Sequence, residues 1–478
     1  MEKLKFSNND GVEYIYDNKY GIIYEDVYEC NKEYMKNFEK NLEEIFGNNY
    51  KKEINKETLI EYYEENGFTE LIFKMTDACN MRCKYCIYSE HYPSTLSYGK
   101  DYIKIETVKK AIDYYISKVK NQAKIVAKKK PFIAFYGGEP LMAFEVIKEA
   151  IEYTKNKYND VDIHFTITTN GLLLKKKEIA EFLKKNNVIV CLSLDGYKEN
   201  HDRNRVGINN KASYDELMEI IKNNFSDYSN IYTLCCIDKR TDLFKLYNFY
   251  KKNDRLEYGD IPHVLRISYI FNQESDYYEQ FTKEEEEKFA LQYKELKDKY
   301  IELAIRNEKD WFLDLLVGQE FLRIVDRIKF NSAISLYGKS GCCVPGDKIF
   351  VYQDGKYGIC EKVCIDGIDI GNVEQGLDID KIINYMKIYD KATGKKCKDC
   401  QISQLCSLCY VNLNKAGELA LDKGYCERQK KYVINIFKDI MYIEERNPGY
   451  WKRKINEYAK NNLKNNSIES VLSGVINL

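Results

Sequence analysis

The stretch LIFKMTDACNMRCKYC, residues 71–86, joins two signals. Its first five residues form a short apolar run of the kind that makes a buried strand. Directly after it, Cys79, Cys83 and Cys86 follow at spacing C-x3-C-x2-C. A strand that empties into three thiols predicts a parallel α/β sheet with its chemistry at the C-terminal strand edge.

Working outward, the same rhythm repeats. Apolar runs at 132–136, 163–168, 188–194, 231–237 and 264–270 follow the first at 71–75, and helical patterns such as TVKKAIDYYISKVK lie between them. Six strands alternating with helices predict an α/β fold, either an open sheet or a partial barrel, over residues 71–272. Suggestive residues follow the strand ends: Cys79, then Gly137, Asn170 and Asp195.

Residues 1–70 read as a small separate unit. GVEYIYDNKYGIIYEDV has the pattern of a hairpin around DNKYG, and two helical stretches follow, each opening at an Asn and closing near a Gly. Strands followed by short helices predict a winged-helix-like domain. Residues 273–340 read as a charged helical connector, 341–428 as a Gly-punctuated, cysteine-rich module, and 429–478 as a helical tail.

The 478 residues carry 74 basic and 75 acidic side chains, so no global field marks a nucleic-acid or membrane-surface protein. The N-terminus lacks the apolar core of a signal peptide and no apolar run is long enough to span a bilayer, which predicts a cytoplasmic protein. Sixteen cysteines then need an explanation other than disulfides. Three lie in the opening stretch and nine between 342 and 426, while Cys30, Cys191, Cys235 and Cys236 stand apart, the last three as core residues. Clustered thiols with only four histidines point to a sulfur-held metal, either zinc or iron–sulfur.

Three thiolates supply three of the four ligands of a 4Fe–4S cluster, which leaves one iron open to bind another molecule. Here the sequence resembles the radical S-adenosylmethionine (radical SAM) enzymes, whose signature C-x3-C-x-aromatic-C is matched by Cys79, Cys83, Tyr85 and Cys86. The resemblance implies a partial (β/α)6 TIM-like barrel. It also implies an open iron that chelates S-adenosylmethionine, and a 5′-deoxyadenosyl radical made by one-electron cleavage. It further implies that Gly137, Gly138, Glu139 and Pro140 hold the methionine amino group. Thr168, Thr169 and Asn170, with Ser193 and Asp195, would reach the ribose and the methionine carboxylate, and Arg205 would pair with that carboxylate.

The second cysteine set resembles the SPASM extension, with Cys343 followed by Gly355 and Cys360, then Cys397, Cys400, Cys406, Cys409 and Cys426. Cys409 departs from the family spacing by one residue. The resemblance implies a distal cluster on Cys397, Cys400, Cys406 and Cys426, and a nearer one on Cys343, Cys360 and Cys409. With the first cluster this makes three 4Fe–4S clusters. The fourth ligand of the nearer cluster stays open between Cys364, Cys342 and a substrate cysteine, and a zinc ribbon is the rival for the whole set.

The stretches CIYSEHY and CCVPGDKIFVYQDGKYGICEKV resemble clostridial-type maturases of cysteine-rich peptides. Their N-terminal domain binds a leader peptide as an added edge strand. The implied reaction is a thioether crosslink between a cysteine sulfur and a carbon of a precursor peptide, with electrons from a flavodoxin- or ferredoxin-type donor. Glu361, after Cys360, stands where sulfatase-maturing relatives carry an Asp base, and is either a base or a surface residue. Carbon–carbon crosslinking, then sulfatase maturation, are the next readings. A zinc-stapled peptide-binding protein is the non-enzymatic one.

Overall fold

The computed structural model describes residues 3–464 apart from 27–31, 47–52, 94, 122–129, 256–258, 271, 273–274, 328–342, 364–367, 416–417, 420 and 422–423. Cys30, Cys342 and Cys364 lie outside the described residues.

The N-terminal segment opens with β1 (Lys3–Ser7), β2 (Glu13–Asp17) and β3 (Ile22–Glu25), then α1 (Lys32–Phe46) and α2 (Lys56–Asn66). The expected hairpin is β2–β3, and β1 adds a third antiparallel strand beside β2. α2 begins with a capping box, in which Asn55 accepts from Thr58 N–H and the Thr58 hydroxyl answers the Asn55 N–H.

Six parallel strands follow: β4 (Glu70–Lys74), α3 (Ile105–Lys120), β5 (Phe132–Tyr136), α4 (Phe144–Lys157), β6 (His164–Thr169), α5 (Lys177–Lys185), β7 (Ile189–Ser193), α6 (Lys198–Asn204), α7 (Tyr214–Phe225), β8 (Ile231–Ile237), α8 (Leu243–Asn253) and β9 (Val264–Tyr269). They hydrogen-bond in chain order from β4 to β9. This is the partial (β/α)6 barrel. Alternate residues explain it: Phe73, Phe135, Ile167 and Leu192 join the helix-side core, whereas Ile72, Ala134, Ile189 and Cys191 face the lumen in two small apolar clusters.

After β9 come α9 (Lys283–Ile305), α10 (Trp311–Leu313) and α11 (Gln319–Arg327), the last two joined by a π-helical stretch at Asp314–Gly318. The acidic run Glu284–Glu286 occupies the first turn of α9, where negative charge favours the helix N-terminus.

The C-terminal module does not stand off from the barrel. β10 (Lys348–Val351) pairs parallel with β4, and β11 (Tyr357–Gly358) pairs antiparallel with β10, so one eight-stranded sheet runs through both. Two short ribbons, β12 (Gly371–Asn372) with β13 (Gly376–Leu377) and β14 (Asn414–Lys415) with β15 (Glu418–Leu419), flank α12 (Ile379–Lys398). The chain closes with α13 (Tyr425–Arg446) and α14 (Tyr450–Lys464). Among the described residues no helix is long and apolar enough to cross a membrane.

The N-terminal sheet shares its core with α13. Phe6 and Tyr16 pack on Phe437 with ring centroids 5.2 and 5.0 Å apart. Leu59 and Tyr63 of α2 instead join the barrel core, and Tyr63 donates to the Pro345 carbonyl just ahead of β10.

Candidate active site in the barrel mouth

The cysteine loop that leaves β4 is stitched to its surroundings by backbone. Gly138 N–H donates to Thr76 O at 2.8 Å and Glu139 N–H to Ala78 O at 2.9 Å. Farther along, Arg82 N–H donates to Val206 O at 2.7 Å and Lys84 N–H to Asn204 O at 3.0 Å. The segment after α6 thus lies beside the motif like a short strand.

The paired glycines also meet a steric demand. A Cβ on Gly138 would sit 2.3 Å from the Ala78 carbonyl oxygen, and one on Gly137, whose φ is +132°, 2.7 Å from that of Thr76. What approaches closely is the cysteine loop's own backbone. Pro140 is buried at the start of a helical turn after this contact.

Glu139 is buried at the end of β5 and ties it to β6. Its carboxylate accepts from the Thr169 hydroxyl (2.7 Å), Asn170 N–H (2.9 Å) and Leu141 N–H (3.1 Å). Burial pushes its carboxyl up to about 7, although those three donors pull it down. The Asn170 side chain donates to Asn80 Oδ1 at 2.7 Å, next to Cys79. Thr168 and Ser193, half-buried, alternate with these toward the lumen.

Asp195, fully buried, is the second knot. It accepts from the Tyr85 hydroxyl at 2.6 Å, Arg205 Nε at 2.9 Å and Cys236 N–H at 2.9 Å. Arg205 also lies over the Tyr85 ring, 5.2 Å from its centroid. Burial pushes the His201 imidazole down to about 4, so it is neutral. Its Nδ1 accepts from Asp195 N–H at 3.3 Å, which leaves the proton on Nε2, facing Ser213 Oγ at 3.0 Å.

The cysteines fall into three neighbourhoods. Cys79, Cys83 and Cys86 lie within each other's electrostatic reach. So do Cys343, Cys360 and Cys409, and Cys397, Cys400, Cys406 and Cys426. All described cysteines are free thiols.

Six of these sulfurs accept a backbone N–H from the residue two positions on: Cys79 from Met81, Cys86 from Tyr88, Cys360 from Lys362, Cys400 from Ile402, Cys406 from Leu408 and Cys409 from Val411. Donors aimed at sulfur favour the thiolate, whereas burial pushes the Cys79 and Cys343 thiols up to about 12. A soft cation resolves that conflict, and the donor set fits iron–sulfur clusters or zinc. Among the described residues no three Cys, His, Asp or Glu side chains already converge as a metal shell. The fit therefore rests on loop placement and donor chemistry.

Glu361 follows Cys360, and its charge reaches Tyr136 at the end of β5; the Cys86 thiol reaches the same ring. Lys348 pairs with the buried Glu70 at 3.2 Å and also feels Glu361. Lys74 pairs with Asp77 at 2.6 Å, and Gln353 donates to the other Asp77 oxygen at 2.9 Å.

Sequence reasoning passed over Asn80, Lys74 and Glu70, and read Cys236 as a core residue, whereas it is half-buried. Cys235 lies in the helix-side core as expected, but Cys236 alternates to the lumen beside Asp195. The period of two along β8 carried that signal.

Residues 73–242 match the Radical SAM superfamily. The chain is 28% identical over 399 residues to a cysteine-type anaerobic sulfatase-maturating enzyme of Clostridium novyi (strain NT), a match that covers 78% of this chain and 96% of that protein. Among solved structures it resembles native anSMEcpe with bound AdoMet and Kp18Cys peptide, with a TM-score of 0.56 and 22% identity over 79% of this chain and 99% of that one. It also resembles Streptococcus suis SuiB bound to precursor peptide SuiA, with a TM-score of 0.52 and 14% identity over 82% and 88%. At these identities the structural likenesses establish the fold.

Proposed function

The chain carries a radical SAM domain over residues 73–242, and from that premise we propose that it is a peptide maturase installing thioether crosslinks in a cysteine-rich precursor. One observation carries the proposal: Tyr136 lies within reach both of Cys86, in the first cysteine set, and of Glu361, beside Cys360 in the second. The first cysteine loop and Glu361, next to Cys360, thus both bear on one ring at the end of β5.

S-adenosylmethionine on an incompletely ligated 4Fe–4S cluster supplies, when bound, a carbon-centred radical able to take a hydrogen atom from an unactivated C–H bond. Cys79, Cys83 and Cys86 would hold that cluster and leave one position open. Arg205, fixed by Asp195 through Nε alone among the described residues, would turn its terminal amino groups to the methionyl carboxylate. Thr168 and Ser193 would take polar groups of the same cofactor. Glu361 would accept the proton that a substrate thiol loses, and the remaining cysteines would hold two auxiliary clusters.

The peptide is supported by the N-terminal sheet, whose outer strands β1 and β3 each pair on one edge only among the described residues and can accept a leader as an added strand. SuiB, a fold neighbour, was solved with its precursor. A flavodoxin- or ferredoxin-type protein would supply the electrons.

Anaerobic reconstitution tests the reading. With dithionite, S-adenosylmethionine and a cysteine-containing peptide, 5′-deoxyadenosine should form and the peptide should lose two hydrogens. Changing its cysteines to serine should abolish that loss. A colourless, zinc-only protein inert toward S-adenosylmethionine would sink the proposal.

Sulfatase-type maturation is the second reading, favoured by the match to the Clostridium novyi enzyme over 96% of its length. It exchanges the cysteine sulfur for an aldehyde oxygen, so a hydrazide probe that labels the product would select it.

A further inference from the structure

Three cations of the lumen are ion-paired among the described residues. Lys74 has Asp77 at 2.6 Å, Lys348 has Glu70 at 3.2 Å, and Arg205 has Asp195 at 2.9 Å. Arg266, the third residue of β9, has no ion pair and no hydrogen bond among the described residues.

Its direction follows from register. Arg266 stands opposite Leu234, and Leu234 opposite Ser193. Leu234 packs in the lumen cluster with Ile189 and Cys191, so Arg266 enters the same space. Its charge reaches Tyr136 on β5, Cys191 on β7 and Cys236 on β8. Cys236 and Ser268 form the next pair toward the rim, which sets the guanidinium one layer below the mouth.

We infer that Arg266 is a specificity-determining residue that pairs with an acidic side chain of the peptide substrate. The inference rests on the peptide-maturase reading above. A half-buried guanidinium without a counter-ion favours an incoming anion, and its planar fork matches a carboxylate bidentately. The other anion at hand, the methionyl carboxylate, has Arg205 at the rim. A peptide held at Arg266 would enter the barrel with its acidic residue leading and its reacting cysteine nearer the mouth.

The test uses a randomised peptide library carrying one fixed cysteine, offered to reconstituted, S-adenosylmethionine-loaded wild type, R266K and R266Q. Retained peptides are read by mass spectrometry, S-adenosylmethionine affinity by equilibrium dialysis, and folding by thermal melts. Wild type should retain Asp or Glu at one fixed offset from the cysteine roughly tenfold over Asn or Gln, the lower end for a charge-assisted hydrogen bond. R266Q should lose that preference and R266K keep part of it, all three binding S-adenosylmethionine alike.

An equal acid preference in R266Q, or none in wild type, overturns the inference while the maturase reading stands. Weakened S-adenosylmethionine binding in R266Q with the peptide preference intact also overturns it, and gives the carboxylate to the cofactor. Wild type that cleaves S-adenosylmethionine yet retains no peptide removes the maturase reading and this inference together.

Discussion

The Tyr85 hydroxyl donates to the Asp195 carboxylate at 2.6 Å, so the loop holding the first three cysteines is moored to the end of β7, 110 residues later in the chain. Removing that hydroxyl leaves a fully buried carboxylate with one donor fewer. Tyr85→Phe should destabilise the protein by about 1.5–3 kcal/mol, the range for a hydrogen bond to a charged group. It should also slow 5′-deoxyadenosine formation. An unchanged melting temperature would show that the mooring carries no load.

Gly138→Ala should strip iron from the first site without unfolding the barrel, because the added methyl meets the Ala78 carbonyl oxygen at 2.3 Å and must push the cysteine loop aside. Gly207→Ala is the control, since its nearest neighbour would lie at 3.5 Å, an ordinary contact. Iron per chain after reconstitution, set against the circular dichroism spectrum, separates the two. Equal iron in both variants would contradict the steric account.

Glu139 should leave a mark on the pH dependence of stability. Its carboxyl is raised from 4.5 to about 7 in the folded chain, chiefly by burial. Between those values the folded state holds a proton that the unfolded state has released. Stability from this group is therefore fully present below pH 4.5 and falls as pH rises toward about 7, by a few kcal/mol in all at about 1.4 kcal/mol per unit. Glu139→Gln should flatten the curve between about pH 5 and 8, measured by denaturant melts of the metal-free chain. An identical slope in the variant would place the titration elsewhere.

Asn18 should couple the N-terminal sheet to the distal cysteines. Its side chain donates to Ser403 Oγ at 2.8 Å and accepts from Gln404 N–H at 3.1 Å, between Cys400 and Cys406. Asn18→Ala leaves those groups unsatisfied, which costs about 1–3 kcal/mol. Hydrogen exchange at 401–406 should accelerate and iron at the distal site should fall, with the first site unaffected. Protection unchanged at 401–406 would refute the coupling.

The barrel was legible because each strand is an apolar run between helical patterns, and boundaries such as 132–136 and 231–237 coincide with those observed. The order of polar residues at the strand ends was legible for the same reason, since register carries each to one edge. What escaped reading was non-local. β10 finds β4 across a separation of more than 270 residues, and nothing in KIFV names its partner. The chain after α6 pairs with the cysteine loop through backbone hydrogen bonds, which leave no side-chain pattern. β1 could have been seen, because KLKFS alternates.

The parallel pairing of β10 on β4 has a further consequence. The first cysteine set leaves one of these strands, and Cys343 and Cys360 flank the other, so their separation is written in four Cα pairs from Lys348–Glu70 to Val351–Phe73. A hinge between modules would let that gap drift; a shared sheet turns it into a ruler graduated in strand steps. To keep the same side chains facing inward, the gap can be reset only by a two-residue slip, about 6.6 Å at 3.3 Å per residue. Descendants of this scaffold can therefore reshape loops far more readily than they can change the distance between the two cysteine sites.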